Sequence, residues 1–241
     1  MLIDAKNIDY QVLNQRIKDC DDADITIRNC LGQRFIAAGL SGKNITIEGT
    51  PGNALGAYLQ GCGITVIGNA QDATGDTMND GSIVIYGSTG DTCGYAMRGG
   101  CIYVRDDAGY RAGIHMKAYK DKVPVMVIGG KTGSFLGEYQ AGGVIIVLGI
   151  GYDDDANLVS NFCGTGMHGG KIFIRTNKLN AKFPAQVSVN KARESDMEEI
   201  KEYIDKYCKL FNIDSSKITD RDLYVLTPNT KTPYQQLFVQ N

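Results

Sequence analysis

Short β-branched runs recur along this chain at an even interval: "ITI" at Ile45, "ITVI" at Ile64, "IVIY" at Ile83, "IYV" at Ile102, "VMVI" at Val125, "IIVL" at Ile145 and "IFI" at Ile172. The first four starts are 19 residues apart. Between runs stands a glycine, at Gly56, Gly75, Gly94, Gly113, Gly137 and Gly164. It lies eight residues before the following run in every case except Gly113, where "KAYKDK" adds four. A fixed period near this length marks a repeat architecture, in which each unit buries its apolar face only by stacking on its neighbours. The leucine-rich pattern of similar period is absent and no helical periodicity fills the spacers. The spacing therefore predicts an all-β fold, a β-helix of three- or four-residue strands joined by glycine turns.

Stacking such units creates columns. Ile64, Ile83, Ile102, Val125, Ile145 and Ile172 form one apolar ladder, and Val66, Ile85, Val104, Val127, Val147 and Ile174 form another two residues on, so both are expected to point inward. Three residues past the glycines come Leu59, Met78, Met97, Met116 and Met167, interrupted by Gln140, which predicts a second buried face. The residues between the inward pairs are Thr65, Val84, Tyr103, Met126, Ile146 and Phe173; from Val84 onward this outward column is apolar and needs a cover. At this stage the glycines read as corner residues, not as a ligand cradle.

The chain ends differ from the repeat. Residues 1–24 read as an N-terminal cap, with Ile8, Val12, Leu13 and Ile17 at helical spacing. Residues 25–180 form the repeat domain. In residues 181–241, "SDMEEIKEYIDKYCKLF" opens with Ser195 and Glu198 at capping-box spacing and places Met197, Ile200, Ile204, Tyr207, Cys208 and Phe211 on one face. That face suits the outward column or, alternatively, a partner's groove. The tail "LTPNTKTPYQQLFVQN" is expected to be extended.

Composition narrows the function. A net charge of -2 gives no basic excess for a phosphate backbone, and no apolar run approaches the ~20 residues of a membrane span, so neither nucleic acid nor membrane is expected. Seven cysteines without a C-x-x-C pair suggest free thiols in a cytoplasmic setting, and two histidines, His115 and His168, leave few metal or triad candidates. "GGKTG" at Gly129 lacks the first glycine of a phosphate loop, and "GTGMHG" at Gly164 leads into a strand. "DDDAN" at Asp153 lacks the glycine and glutamate of a calcium loop. The candidate polar cluster is Arg98, Arg111, His115, Lys117 and Glu138, which stacking would gather as a salt-bridge ladder, an interface, or an acid–base pair acting on a small anionic metabolite.

The segments "GNALGAYLQGCGITVIGNAQDATGDTMNDGSIVIYGSTGDTCGYAMRGGCIYVRDDAGYRAGIHMK" and "GGKTGSFLGEYQAGGVIIVLGI", together with the ending "TPYQQLFV", resemble the GXGXG domain that closes the glutamate synthase large subunit, in particular its stand-alone form. The resemblance implies a right-handed parallel β-helix of about seven coils. A related domain occurs in one of the subunits of formylmethanofuran dehydrogenase. In glutamate synthase, glutamine is hydrolysed at an N-terminal cysteine and 2-oxoglutarate is aminated and reduced at an FMN and iron–sulfur site. This chain begins "MLIDAK" and its cysteines do not form the cluster-binding run. The resemblance thus implies a noncatalytic scaffold holding no cofactor itself, with FMN and the iron–sulfur cluster in partner glutaminase and synthase subunits; self-association is compatible with it.

Overall fold

Runs of three or four β-branched residues cannot hold an extended conformation alone; they need hydrogen-bonded neighbours on both sides. In a computed structural model, which describes residues 1–229, they find them in one eleven-stranded sheet. The strands are β1 (Leu2–Asp4), β2 (Asp24–Leu31), β3 (Asn44–Thr50), β4 (Gln60–Ile67), β5 (Asp80–Ile85), β6 (Cys101–Val104), β7 (Val125–Ile128), β8 (Ala141–Val147), β9 (Gly169–Arg175), β10 (Val187–Lys191) and β11 (Leu223–Pro228). From β1 to β9 each strand pairs in parallel with the next. Parallel bridges also link Ala70, Thr89, Ala108, Thr132 and Val159, so each repeat touches the next along a second line.

Register follows the apolar columns with one correction. Ile45, Ile64, Ile83 and Ile102 stand side by side as expected, but the next partner of Ile102 is Met126, not Val125. The insertion after Gly113 therefore adds five residues, Pro124 included, and β7 is shifted by one. Met126 and Ile128 join the interior, while Val125 and Val127 take the outward side that the simple spacing assigns to Met126. All four residues of β7 are fully buried, so both faces of that strand are covered. The second buried face is present: Leu59, Met78, Met97, Met116, Gln140 and Met167 are all inaccessible to solvent.

The turns between the second line and the sheet share one backbone pattern. Three alternate residues per repeat are left-handed, for example Ala73, Gly75 and Thr77. The middle one is Gly56, Gly75, Gly94, Gly113, Gly137 or Gly164, with φ between 61° and 70°. At Gly75 a Cβ would stand 2.5 Å from Cδ1 of Ile102, the ladder residue of a neighbouring repeat. Its N–H donates to the Leu55 carbonyl of the preceding repeat at 2.8 Å. This position is therefore closed to side chains by the core as well as by its φ.

Both ends contribute strands that the spacing did not show. β1 pairs with β2, and the helix α1 (Tyr10–Asp19), capped by the Asp9 carboxylate on Gln11 N–H at 2.8 Å, buries Leu13 and Ile17 in the interior cluster. Val12 is exposed instead of inward. At the other end β11 pairs antiparallel with β9 and β10. Between β10 and β11 in the chain, the long helix α2 (Glu194–Phe211) lays Ile200, Ile204, Tyr207, Cys208 and Phe211 against Val84, Tyr103, Val127, Ile146 and Phe173, the outward column. Met197 remains partly exposed. The helix starts two residues earlier than the Ser195–Glu198 spacing suggests: Asp196 accepts the Arg193 N–H at 3.1 Å and also meets Lys171 Nζ at 2.9 Å. Tyr207 Oη donates to the Arg105 carbonyl at 2.9 Å, and buried Arg175 ties the short α3 (Ser216–Thr219) to β9 by donating to the Ile218 carbonyl at 3.1 Å. No helix among the described residues is long and apolar enough to cross a membrane. The "TPYQQLFV" ending lies outside the described residues, as does the tail from residue 230 on.

This packing sets the cost of two substitutions. Replacing Gly75 by Ala combines left-handed strain with overpacking, and chemical denaturation should show a loss of about 2–4 kcal/mol, whereas Ala73→Gly at the outward-facing flank stays within about 1 kcal/mol. Tyr207→Phe removes one hydrogen bond and costs about 1 kcal/mol, while Tyr207→Ala also empties the helix seat and costs about 3–5 kcal/mol.

Candidate functional site

The left-handed turns decide where polar side chains can gather. At Gly113 the glycine faces inward, and its left-handed neighbours Arg111 and His115 reach the surface. Glu138 follows Gly137 in the next repeat, only 6% exposed. Arg111 Nε donates to Glu138 Oε2 at 3.0 Å, and the His115 N–H donates to the Glu138 carbonyl at 2.8 Å. The structure thus brings Arg111, His115 and Glu138 into one patch. The described partner of the carboxylate is the guanidinium, which also lies 5.1 Å from the Tyr110 ring centroid and 5.0 Å from that of Phe135. The His115 ring stacks on Tyr139 with centroids 5.1 Å apart, and meets the Tyr95 ring edge-on at 5.9 Å. A half-exposed ion pair of this kind is worth about 1 kcal/mol.

Arg98 and Lys117 stand apart from that patch. Arg98 lines a cleft of about 220 Å³ with Gln60, Asn79, Tyr119, Lys120 and Lys122, where Lys122 Nζ already pairs with Asp80 at 2.7 Å. Lys117 is exposed at the start of the inserted segment. The five candidates therefore fall into two groups, Arg111 with His115 and Glu138, and Arg98 with Lys117.

The other sequence motifs are occupied by the chain itself. In "GGKTG" the Lys131 N–H donates to Asp107 Oδ1 at 2.8 Å and Gly130 N–H to the Asp106 carbonyl, so carboxylate and backbone of the preceding repeat take the donors that a phosphate would need. In "DDDAN", Asp154 pairs with Arg221 at 2.7 Å and Asp155 with Lys178 at 2.7 Å. All seven thiols are free; burial pushes Cys30 up to about 11 and Cys93 and Cys163 up to about 12, well above the range of a nucleophilic thiolate. Among the described residues no group of three or more His, Cys, Asp or Glu is placed to hold a metal ion.

Sequence reasoning overlooked a ladder of side-chain caps. Asn69 accepts the Ser88 N–H at 2.9 Å, Asp72 the Asp91 N–H at 2.9 Å, Asp91 the Tyr110 N–H at 2.8 Å, and Asp107 that of Lys131. Each replaces a backbone acceptor at the corner of the next repeat. The signal was legible as Asp72 and Asp91 at the same 19-residue interval as the strands.

A double-mutant cycle on Arg111→Met and Glu138→Gln, followed by thermal denaturation, should return a coupling of about 1 kcal/mol, as a structural pair requires.

Comparison with known proteins agrees with the repeat. A family described as "GXGXG motif" matches residues 6–225. An uncharacterized protein of Methanocaldococcus jannaschii is 46% identical over 250 residues, covering 99% of this chain and 96% of the relative. The chain belongs to the GXGXG motif family, that of the C-terminal domain of the glutamate synthase large subunit.

Proposed function

We propose that this chain is a scaffold within a glutamate synthase-type assembly. In this reading the parallel sheet and the second bridged line are two faces of a right-handed β-helix of about seven coils, built by residues 25–180 and closed by residues 1–24 and 181–241. The scaffold positions separate glutaminase and synthase subunits in the cytoplasm. FMN and an iron–sulfur cluster reside in the synthase partner, and glutamine nitrogen reaches 2-oxoglutarate there. The observation that carries the proposal is the extent of the family match, residues 6–225, over a chain whose clustered polar groups close on one another.

The role follows from stiffness. Every repeat is bonded to its neighbours along two lines, so faces several repeats long hold fixed distances and can set the separation of two docked subunits. Arg98, Lys117 and the Arg111–Glu138 patch then serve as interface contacts and not as acid–base catalysts.

Co-expression with glutaminase and FMN/iron–sulfur synthase subunits from the same cell tests this. The expected result is a complex of fixed stoichiometry whose glutamine-dependent glutamate formation falls about ten-fold or more when the chain is withheld. A chain that binds neither partner, or that assembles instead with a formylmethanofuran dehydrogenase-type enzyme, would contradict the proposal.

A further inference from the structure

The insertion after Gly113 folds into a structure of its own. It turns back as a tight hairpin, in which the Tyr119 N–H donates to the Lys122 carbonyl at 3.0 Å and the Lys122 N–H to the Tyr119 carbonyl at 3.1 Å. Lys120 holds a left-handed place at its tip, with a φ of 57° that Gly or Asn adopts more easily. The hairpin lies back over earlier repeats. Lys122 Nζ pairs with Asp80 at 2.7 Å, and the Lys122 side chain rests against Gly99, where an added Cβ would stand 3.0 Å from Lys122 Cβ and 2.4 Å from the Asn79 carbonyl oxygen. Glycine at this position makes room for the overhang.

Beside the hairpin stands a polar column. Gln60, Asn79 and Arg98 recur at the 19-residue interval, each with its N–H bonded to a carbonyl of the preceding repeat at 2.8–2.9 Å. Their main chain is fixed, yet among the described residues their side chains make no hydrogen bond or ion pair. Together with Tyr119, Lys120, Asp121 and Lys122 they line the cleft of about 220 Å³. Lys117, the next member of the column, is exposed and does not line it.

The charges of the cleft describe its ligand. Lys122 and Asp80 neutralise each other. Lys120 Nζ lies 5.4 Å from the Tyr119 ring centroid, and neither Lys120, Arg98 nor Asp121 makes an ion pair among the described residues. Two cations and one anion are left over, the complement of two carboxylates and one ammonium group. A phosphate or a plain dicarboxylate would leave Asp121 opposed to it. The Gln60 and Asn79 amides add both donors and acceptors, which suit a ligand carrying both charges. The volume falls below the roughly 300 Å³ at which drug-sized sites begin, in keeping with a molecule of amino-acid size.

We propose that this cleft binds an acidic amino acid, with Arg98 and Lys120 on its two carboxylates and Asp121 on its ammonium group. The site is built by this chain alone, so its test on the isolated protein does not depend on the scaffold reading. Where both hold, the ligand lies beside the Arg98 contact of a docked subunit.

Nuclear magnetic resonance titration of the 15N-labelled full chain tests it, with L-glutamate as the probe and with glutarate, the same carbon chain without the ammonium group, and inorganic phosphate for comparison. L-Glutamate should produce saturable shifts at the amides of Arg98 and of residues 119–122, with a dissociation constant of about 1 mM or tighter. Glutarate and phosphate should bind about five-fold more weakly or worse. Arg98→Gln should weaken L-glutamate and glutarate alike by about ten-fold. Asp121→Asn should weaken L-glutamate about five-fold and strengthen glutarate, because one lost charge attracts the first ligand and repels the second. Both side chains are exposed and make no bond within the described chain, so the thermal midpoint should stay unchanged in either variant. Three results would overturn the proposal. One is the absence of saturable shifts up to about 20 mM L-glutamate. Another is equal binding of all three probes, strengthened in every case by Asp121→Asn, which would mark a site for any anion. The third is L-glutamate binding that neither variant alters.

Discussion

The structure depends on a contact that forbids a carbon atom. At Gly56, Gly75, Gly94, Gly113 and Gly137 the backbone turns left-handed and inward, against the tip of a ladder residue from a neighbouring repeat. At Gly113 that tip is Ile145 Cδ1, 2.4 Å from where a Cβ would stand. At these five positions only glycine satisfies φ and space together, whereas Ala37 holds the equivalent place in the first turn with φ 60°. The regular glycines of the sequence thus shape the interior, and their amides are committed to carbonyls of the preceding repeat and not offered to a ligand.

From that contact the remaining surfaces follow. The interior takes the isoleucine ladder and the methionine column, leaving an equally apolar outward column on the sheet. Helix α2 covers it from Val84 to Phe173, held by Tyr207 on Arg105 and by Lys171 on Asp196 and Glu199. Arg111, His115 and the rings they meet lie on the turn face. The outward face of the sheet is thus sealed by the chain itself.

Much of this is legible in residue spacing. The 19-residue period, the inward ladders and the need to cover the outward column all follow from it, because stacking converts a sequence interval into a spatial neighbour. The register of β7 does not follow, since Val125, Met126, Val127 and Ile128 are all apolar and alternation is silent when both faces are buried. Strands β1, β10 and β11 escape notice because they are edge or antiparallel additions lacking a glycine anchor. In the candidate cluster, spacing correctly places Glu138 beside Arg111 and His115. It cannot tell that the carboxylate engages Arg111 while the imidazole stacks on Tyr139, a choice made by side-chain packing between repeats.

The central claim is that the glycine turns are locked between repeats. Native-state hydrogen exchange at the amides of Gly56, Gly75, Gly94, Gly113, Gly137 and Gly164 tests it most directly, since each donates to a carbonyl of the preceding repeat at 2.8–2.9 Å. Locked turns exchange as slowly as the core strands, through global opening alone. Exchange at the rate of a free surface loop would mean that the glycines serve something other than the stack.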